Sequence, residues 1–327
     1  MKISIALASY NGENFIREQL DSFCSQTRLP DELVISDDSS IDRTIAIINE
    51  FSRISPFPVK IIQNEKRLGI TKNFENAIRP CTGDIIFLSD QDDVWLPEKI
   101  AVLADVLERN PDTGLVHCNA DVVTEDLVST GNSLWKSFWF SEREQEKVRN
   151  SKAFDVYLRH SVAAGMTMAF KSELLKAILP IPDIFSVHDV WVALVIAAVS
   201  QVRIIDRILV KYRVHGVNQT VGIHKLSLTE QFMIARKQAR DETFPNLVAL
   251  YENLEKRLYL LRNEYGFTIT DYAMNNTSKR YNHARMRVNL SPNRFFRPFQ
   301  ILPGIAGGDY FRFSYGIKSI AQDLILR

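Results

Sequence analysis

Two acidic clusters follow short β-rich runs within the first hundred residues of the chain. Asp37 and Asp38 follow one run, and Asp90, Asp92 and Asp93 follow another. Because crowded carboxylates repel one another, a site that gathers them usually binds a cation, and oxygen ligands select hard ions such as Mg²⁺, Mn²⁺ or Ca²⁺. Magnesium is commonly held by one or two carboxylates together with a substrate phosphate. The two clusters therefore predict a metal-assisted site for a nucleoside diphosphate.

The elements that would position these carboxylates alternate along the first 120 residues. Short β-rich runs are nearly continuous in apolar residues, as expected of strands buried on both faces, and the stretches between them carry apolar residues three or four apart, as helices do. The predicted strands span residues 3–8, 32–36, 59–63, 84–89 and 114–119. The alternation predicts an α/β fold with a mostly parallel sheet and helices on both faces, whose ligands bind outside the carboxyl ends of the strands.

Three polar clusters would meet at that edge of the sheet. Ser9, Tyr10 and Asn11 follow the first predicted strand, and the acidic clusters follow the second and fourth. A single acidic turn is most often a solvated loop or a helix cap, but two that converge at the ligand edge favour a site. Neither GxGxxG nor GxxxxGK[ST] occurs among the 13 glycines, which argues against a dinucleotide dehydrogenase and a P-loop NTPase.

The pattern changes after residue 123. Residues 123–150 mix charged and aromatic side chains and predict a loop or mobile lid, although the aromatics could equally be buried. A β-rich run at 202–214 is expected to complete the sheet, and the chain beyond about residue 221 is expected to be helical. We therefore predict a catalytic domain over residues 1–222 and a helical C-terminal region over residues 223–327.

Composition places the chain among ordinary globular proteins. Of its 327 residues 46% are hydrophobic and 24% charged, with a formal net charge of +1, which excludes a disordered chain and gives no argument for binding nucleic acid. Three scattered cysteines argue against a disulfide framework and predict a reducing cytoplasm. The N-terminal apolar run is too short for a signal peptide, and the longest apolar stretch, residues 190–199, is too short to span a bilayer.

The C-terminal segment, residues 279–327, is strongly basic. It holds nine lysines or arginines against two aspartates, and aromatic residues are frequent between positions 295 and 315. Basic and aromatic residues together favour contact with an anionic membrane surface. The same composition also fits a C-terminal helix that docks on the rest of the protein through its aromatic side chains, so both interpretations stay open.

Six fragments, in order along the chain, resemble the inverting family 2 glycosyltransferases, which have the GT-A fold of nucleotide-diphospho-sugar transferases. The fragments are IALASYNGENFIREQLDSFCSQT, ELVISDDSSIDRT, QNEKRLGITKNFENAI, GDIIFLSDQDDVWLPEKI, HDVW and YRVHGVN. Any one of them is weak, whereas the ordered series over residues 1–220 is specific. The form SDQDDVW further resembles the branch that includes bacterial polysaccharide rhamnosyltransferases, which use dTDP-L-rhamnose.

The resemblance implies donor-binding roles at the first three strand ends. Ser9 and Tyr10, with Asn11 beside them, match the segment that contacts the nucleotide base, and Asp38 matches the acid that accepts a hydrogen bond from the pyrimidine N3–H. Four further residues match a loop that wraps the donor: Asn64, Arg67, Gly69 and Asn73. Turn-forming roles for Asn64 and Gly69 are equally compatible with the sequence.

The resemblance also implies a metal site, because Asp90 and Asp92 match the DxD motif of the family. Asp92 is expected to coordinate Mg²⁺ or Mn²⁺, and Asp90 to face the ribose or a metal-bound water. His215 is a further candidate as a metal ligand or a donor to the diphosphate, although a lone histidine is more often structural. Arg213 is expected to bind the diphosphate, because its guanidinium is planar and permanently charged. Asp93 would support the loop or cap the next helix.

Asp189 matches the general base of the family. Inversion at an anomeric carbon requires one in-line displacement, in which a single carboxylate takes the proton of the acceptor hydroxyl while the metal stabilises the departing diphosphate. Without the resemblance, Asp189 would be interpreted as the N-cap of the following helix. The acceptor-side candidates are Gly165, Trp95, Trp191 and His188, the last by orienting Asp189. Interior packing is the alternative for both tryptophans, and a strand bulge for Gly165.

Together these expectations predict a cytoplasmic, metal-dependent, inverting glycosyltransferase of bacterial surface polysaccharide synthesis. The leading donor is dTDP-L-rhamnose, with a UDP- or GDP-hexose as the alternative. The acceptor is expected to be a lipid-linked glycan, with the C-terminal segment in peripheral contact with the cytoplasmic face of the inner membrane. A sugar nucleotidyltransferase would have a basic glycine-rich loop where this chain has SYNGEN, and a non-catalytic nucleotide-sugar-binding protein would have lost Asp92 or Asp189.

Overall fold

The computed structural model describes residues 1–184, 188–215 and 243–325. Two compact units are present. The described residues of Met1–Ala153 and Val162–Ile223 form the first, and those of Phe154–Ser161 and His224–Arg327 form the second. The predicted domain boundary at residue 222, and Asn218 in the YRVHGVN fragment, lie outside the described residues.

Strands and helices alternate through the first unit. Its strands are β1 (Ile3–Ser9), β2 (Glu32–Asp37), β3 (Val59–Gln63), β4 (Ile85–Ser89), β5 (Val94–Trp95), β6 (Thr113–Val123), β7 (Ser129–Ser133), β8 (Met168–Lys171) and β9 (Gln201–Arg213). Its helices are α1 (Ile16–Cys24), α2 (Thr44–Ile54), α3 (Ile70–Ile78), α4 (Lys99–Arg109), α5 (Leu134–Ser137), α6 (Glu142–Arg149), α8 (Leu175–Ile178) and α9 (His188–Val199). The five strands predicted in the first 120 residues are confirmed, and the fifth of them, β6, continues to Val123.

The strands form a sheet in the order β3-β2-β1-β4-β8-β6-β9-β5, with β7 paired to β6. The first four strands are parallel, and their register places Ser9 opposite Asp37 and Leu7 opposite Ser89. The polar clusters that follow these strands therefore share one edge, as predicted. β8 runs antiparallel to both β4 and β6, so the sheet is mixed beyond β4. The apolar pattern of a buried strand is the same in either direction, which is why the sequence did not reveal this reversal.

The core lies between this sheet and the helices beside it. Strands β1 and β4 are buried along their whole length, as expected of central strands with both faces covered. Helix α1 buries Leu20 and Phe23, and α4 buries Ile100, Leu103 and Leu107, each at the three-to-four-residue spacing seen in the sequence. The loops that leave β1 and β4 are thereby attached to a rigid scaffold.

Residues 123–150, predicted to be a loop or lid, are largely structured as β7, α5 and α6. The loop prediction was wrong, and its alternative is confirmed for Trp135 and Phe140, which are buried. Helix α6 starts with a capping box in which Ser141 and Glu144 bond each other's backbone. The elements of this segment are too short to show a helical or strand period, so composition alone misled the prediction.

The second unit is helical. It contains α7 (Ala153–Arg159) apart from Ala153, α10 (Thr243–Asn263), α11 (Asp271–Val288), α12 (Arg297–Ala306), α13 (Asp309–Phe313) and α14 (Ile317–Ile325). A buried ion pair joins α11 to α14, because Arg287 donates to both oxygens of Asp323 at 2.7 and 2.9 Å. Tyr310 also donates to Asp323 at 2.8 Å. In the part of the chain that the structure describes, no helix is both long and apolar enough to cross a bilayer.

Candidate active site

The loops after β1 and β2 are joined by reciprocal hydrogen bonds. The backbone N–H of Asn11 donates to Ser40 Oγ at 2.9 Å, and the side-chain oxygen of Asn11 accepts from the backbone N–H of Ile41 at 3.0 Å. Asn11 has a φ of 46°, in the left-handed region that asparagine tolerates better than most residues. Ser9 donates to Asp37 at 2.9 Å. Ser9 and Asn11 therefore both lie at the carboxyl edge of the sheet, where the sequence predicts the donor site.

Gln91, between the two DxD aspartates, ties their loop to the loop after β1. Its side-chain oxygen accepts from the backbone N–H of Tyr10 at 2.8 Å, and its side-chain nitrogen donates to the backbone carbonyl of Tyr10 at 2.9 Å. Gly12 makes room for this contact, because a Cβ at that position would lie 2.2 Å from the Gln91 side-chain oxygen. Sequence reasoning missed Gln91 as a site residue, although it stands within the motif.

Asp38 is buried and organises the loop that precedes α3. Its carboxylate accepts hydrogen bonds from the backbone N–H groups of Leu68 and Gly69 at 2.7 and 2.9 Å, and from the Asn64 side chain at 3.1 Å. Gly69 has a φ of 85°, a conformation that favours glycine. Asp38 thus joins the end of β2 to the predicted donor loop, and Gly69 has the turn role that the sequence left open.

Asparagine side chains continue this network. Asn64 donates to Asn73 at 3.0 Å, and Asn73 donates to the backbone carbonyl of Ser9 at 3.1 Å. Arg67 is exposed, and its guanidinium carbon lies 4.2 Å from the centre of the Tyr10 ring. All of the predicted donor-side residues between Ser9 and Asn73 therefore belong to one connected group at the carboxyl edge of the sheet.

The DxD loop brings three carboxylates into one electrostatic environment. Burial, together with the charges of Asp92 and Asp189, raises the pKa of Asp90 to about 8. Burial and the charges of Asp92 and Asp90 raise the pKa of Asp93 well above its usual range. Asp189, almost a hundred residues away in the sequence, thus lies close enough to affect the DxD aspartates.

Asp92 contacts His215 directly. The distance from Asp92 Oδ2 to His215 Nε2 is 2.9 Å, and the His215 ring packs at 4.4 Å from the ring of Phe15. His215 follows β9, which ends at the same region as the DxD loop. The pairing of a carboxylate with an imidazole across 123 residues of sequence supports the prediction that His215 belongs to the site.

Arg213 is buried and is bonded to protein groups. Its backbone N–H donates to Asp93 at 3.1 Å, and its Nε donates to the backbone carbonyl of Asp92 at 2.8 Å. The two terminal nitrogens donate to the backbone carbonyl of Glu125 and to the Glu18 carboxylate. This geometry favours a role in positioning the DxD loop over the predicted contact with a diphosphate.

Lys99 is a fully buried lysine behind the DxD loop that the sequence did not reveal as a site residue. Its Nζ donates to the backbone carbonyl of Met166 at 2.6 Å and lies 3.1 Å from the centre of the Trp95 ring. Burial lowers its pKa well below the usual range, and the charges of Asp93 and Asp90 act in the opposite direction. A lysine near a predicted helix start is normally solvated, so only the tertiary structure distinguishes this one.

Asp189 lies in the first turn of α9, beside the backbone of Gly165. A Cβ on Gly165 would lie 3.2 Å from His188 Nε2 and 3.6 Å from the Asp189 Cβ. The His188 ring stacks on Phe74 with centroids 3.9 Å apart, and burial lowers its pKa. Gly165 is the first residue of a 3₁₀ turn, and it therefore does not form the strand bulge that was the alternative. Gly165 and His188 border the candidate base, and their acceptor-side roles stay predictions.

Trp95 and Trp191 are buried. Trp95 packs edge-on against Phe23 with centroids 4.7 Å apart, and Trp191 donates to the backbone carbonyl of Ile178 at 2.8 Å. Neither indole face is available for stacking on a sugar. The structure therefore supports interior packing, the alternative that the sequence had left open for both residues.

The donor types at this edge, carboxylate oxygens and an imidazole nitrogen, are types that divalent cations accept in proteins. Burial, together with the charges of Asp92 and Asp189, raises the pKa of Asp90. Asp92 and His215 supply an oxygen and a nitrogen ligand 2.9 Å apart. Among the residues that the structure describes, no group of three or more histidine, cysteine, aspartate or glutamate side chains is arranged so that it could hold a metal ion. The metal-binding roles of Asp90, Asp92 and His215 stay predictions.

A sheet of this order, with an acidic loop at the carboxyl edge of its parallel half, defines a GT-A fold. The family model for glycosyl transferase family 2 matches residues 4–175, slightly more than half of the chain. The chain belongs to this family. Its fold class and the resemblance noted in its sequence are both confirmed.

Curated relatives match over part of their length. An uncharacterized protein of Mycobacterium tuberculosis is 35% identical over 126 residues, which cover 38% of this chain and 36% of that protein. The dTDP-rhamnosyl transferase RfbG of Shigella flexneri is 31% identical over 175 residues, 52% of this chain and 55% of RfbG. The abequosyltransferase RfbV of Salmonella typhimurium is 27% identical over 177 residues, 54% of this chain and 52% of RfbV.

Solved structures share the fold at low sequence identity. S. aureus TarS 1-349 in complex with UDP has a TM-score of 0.55 and 18% identity, covering 100% of this chain and 93% of that one. The mannosyltransferase PcManGT from Pyrobaculum calidifontis, in complex with GDP-Man and Mn²⁺, has a TM-score of 0.52 and 17% identity, covering 99% of this chain and 85% of that one. These similarities concern the fold alone.

Proposed function

We propose that this protein is an inverting, metal-dependent glycosyltransferase that moves a sugar from a nucleoside diphosphate to a hydroxyl of a glycan in bacterial surface polysaccharide synthesis. The observation that carries the proposal is the gathering of Asp90, Asp92 and Asp189 at the carboxyl edge of the sheet, with His215 against Asp92. A non-catalytic binding protein has no need of a base beside a buried acidic loop. Membership of family 2 supports the same reaction class.

Asp189 is the general base of the proposed reaction. It accepts the proton of the acceptor hydroxyl as the acceptor oxygen bonds to the anomeric carbon, and the bond from that carbon to the diphosphate oxygen breaks with its electron pair. The nucleoside diphosphate is the leaving group. Gly165 and His188 border Asp189, so the acceptor hydroxyl approaches along that side of the site.

Asp92 and His215, with Asp90, are the residues that would hold Mg²⁺ or Mn²⁺. A bound divalent ion would supply electrostatic stabilisation of the departing diphosphate. Arg213 holds the backbone of Asp92 in place, and Gln91 holds the neighbouring loop that carries Tyr10. The mannosyltransferase PcManGT, of the same fold, was solved with Mn²⁺ and GDP-Man, which supports a metal and a nucleotide sugar here.

The donor is proposed to be dTDP-L-rhamnose, and the acceptor a lipid-linked glycan. The similarity to RfbG, a dTDP-rhamnosyl transferase, supports this donor at 31% identity. TarS was solved with UDP-GlcNAc, so a UDP-sugar is the alternative to test. Action at the cytoplasmic face of the inner membrane, through a peripheral contact of the C-terminal segment, is part of the same proposal.

Donor binding and turnover can be tested separately on the full chain. Melting temperatures are measured with dTDP-rhamnose, UDP-GlcNAc and GDP-mannose, each with Mn²⁺ or with a chelator, because a ligand that binds the folded state raises its melting temperature. The proposal expects a metal-dependent rise with dTDP-rhamnose. A rise with another sugar nucleotide alone would replace the donor, and no response to any of them would contradict the proposal.

Turnover is followed as release of nucleoside diphosphate from the donor identified in this way. Asp189→Asn is expected to keep donor binding and to slow release by about a hundredfold or more, the usual contribution of a general base. Asp92→Asn is expected to lose the metal-dependent part of donor binding. Asp105→Asn, a change in an exposed ion pair on α4, is the matched control. Unchanged turnover in both site variants would contradict the mechanism.

A further inference from the structure

The turn before α12 and the first part of that helix expose a continuous apolar face. Phe295, Phe296, Phe299 and Leu302 expose 73%, 53%, 68% and 60% of their surface. The ring centroid of Phe295 lies 5.7 Å from that of Phe296 and 6.4 Å from that of Phe299. The opposite face of the helix is buried through Ile301. We call these four exposed residues the apolar wedge, and a patch of this kind marks a binding surface.

Hydrogen bonds fix the turn that carries the apolar wedge. The buried guanidinium of Arg297 donates to the backbone carbonyls of Ser291, Pro292 and Asp323 at 2.7, 3.2 and 3.3 Å. The backbone N–H of Phe295 donates to Asn293 at 3.0 Å. The turn that carries the phenylalanines is therefore fixed by the fold, and their exposure is a property of the folded second unit.

The C-terminal segment that carries the apolar wedge, residues 279–325 in the described part of the chain, is basic. Five basic residues of the described part of the segment are exposed: Lys279, Arg285, Arg294, Arg312 and Lys318. Of its two aspartates, Asp323 is fully buried in its ion pair with Arg287, and Asp309 is half-buried. The exposed charge of this segment is thus almost entirely basic, with Arg294 directly beside the wedge in sequence.

We propose that the apolar wedge inserts into the interfacial layer of an anionic lipid bilayer, with Arg294, beside it in sequence, facing the lipid phosphates. Aromatic side chains flanked by cations are suited to this layer, since the rings leave water while the charges stay at the headgroups. A neutral protein surface would cover the rings and leave the basic charge of this segment uncompensated. This membrane contact would bring the protein close to a lipid-linked acceptor. Only that purpose rests on the proposed function.

Co-sedimentation of the full chain with vesicles tests the proposal without any turnover. Wild type is expected to bind vesicles that contain phosphatidylglycerol, to bind pure phosphatidylcholine weakly, and to dissociate as salt is raised. The triple variant Phe295→Ser, Phe296→Ser, Phe299→Ser is expected to bind at least about tenfold more weakly, and Arg294→Gln about fivefold more weakly. Tyr259→Ser, at an exposed aromatic residue of α10, is the matched control and is expected to bind as wild type.

Melting temperature and sedimentation velocity complete the experiment. Because the wedge residues are exposed, the triple variant is expected to melt close to wild type, so that weaker binding reports the surface and not unfolding. Equal binding of wild type and triple variant would overturn the proposal, as would an absence of binding to anionic vesicles. If wild type is instead a dimer in solution and the triple variant a monomer, the face belongs to a second copy and the membrane assignment is wrong. Donor binding, measured separately, is unaffected by any of these outcomes.

Discussion

At the scale of single residues, the candidate site is built by side chains that bond to the backbone of another loop. Gln91 pairs with both backbone groups of Tyr10, and Asp38 receives two backbone N–H groups from the donor loop. Such contacts place chemical groups without touching a substrate. Their loss is expected to weaken binding more than to unfold the protein, because each contributes about 0.5–1.5 kcal/mol.

Replacing Gln91 by alanine removes two hydrogen bonds from Tyr10, the residue predicted to contact the donor base. We expect donor affinity to fall by about tenfold, corresponding to the two bonds, with a small decrease in melting temperature. Gln63→Ala, at an exposed glutamine at the end of β3, is the control and should bind donor normally. Calorimetric titration with the donor measures both. Wild-type affinity in Gln91→Ala would contradict a positioning role.

At the scale of elements, the end of β9 positions the DxD loop through Arg213. This residue connects β9 to the loop, to α1 through Glu18, and to the segment after β6 through Glu125. Four separate parts of the chain thus meet at one guanidinium. The planar arrangement of its donors cannot be reproduced by a lysine, which has one ammonium group.

Arg213→Lys is therefore expected to lower the free energy of unfolding by about 2–4 kcal/mol, because buried charge-assisted hydrogen bonds are lost. It is also expected to reduce metal-dependent donor binding, since the backbone of Asp92 loses its support. Arg207→Lys changes the same residue type on the same strand, in an exposed ion pair with Glu98, and should leave both properties unchanged. Denaturant titration and donor binding are the measurements. Similar behaviour of the two variants would contradict the role of Arg213.

At the scale of the whole molecule, each of the two units contains a buried histidine that is neutral when folded. Burial lowers the pKa of His117, in the first unit, to about 3. Burial, with the charges of Arg280 and Arg287, lowers the pKa of His283, in the second unit, to about 3. The unfolded chain binds these protons near pH 6.5. The free energy of unfolding is therefore highest above pH 6.5 as far as these two histidines are concerned. It falls as the pH is lowered from 6.5 towards 3, because the unfolded chain takes up protons that the folded protein does not.

When the pH is lowered from 7 to 5, we expect each of these histidines to decrease the free energy of unfolding of its own unit by about 2 kcal/mol. His283→Gln should flatten the pH dependence of helix loss followed by circular dichroism, whatever its effect on stability at pH 8. All four tryptophans lie in the first unit, so their fluorescence follows the unit that retains His117 and serves as the internal comparison. An unchanged pH slope of helix loss in His283→Gln would contradict the prediction.

Local patterns in the sequence were enough to determine the parallel half of the sheet and the edge at which the site lies. Strand and helix periods are properties of neighbouring residues, and parallel βαβ units bring successive strand ends to one edge. The polar clusters at Ser9, Asp38 and Asp90 could therefore be assigned to one site. The resemblance to family 2 added Asp189 and His215, whose positions no local pattern indicates.

The tertiary structure alone decided how that site is supported. Gln91 and Tyr10 are 81 residues apart, and Arg213 and Glu18 are 195 apart, so nothing in the neighbourhood of either residue specifies its partner. The direction of β8 and the burial of Lys99 likewise depend on how elements pack. Periodicity predicts which face of an element is buried, whereas hydrogen-bond partners are chosen only when distant elements meet, because the bond requires two groups within about 3 Å of each other.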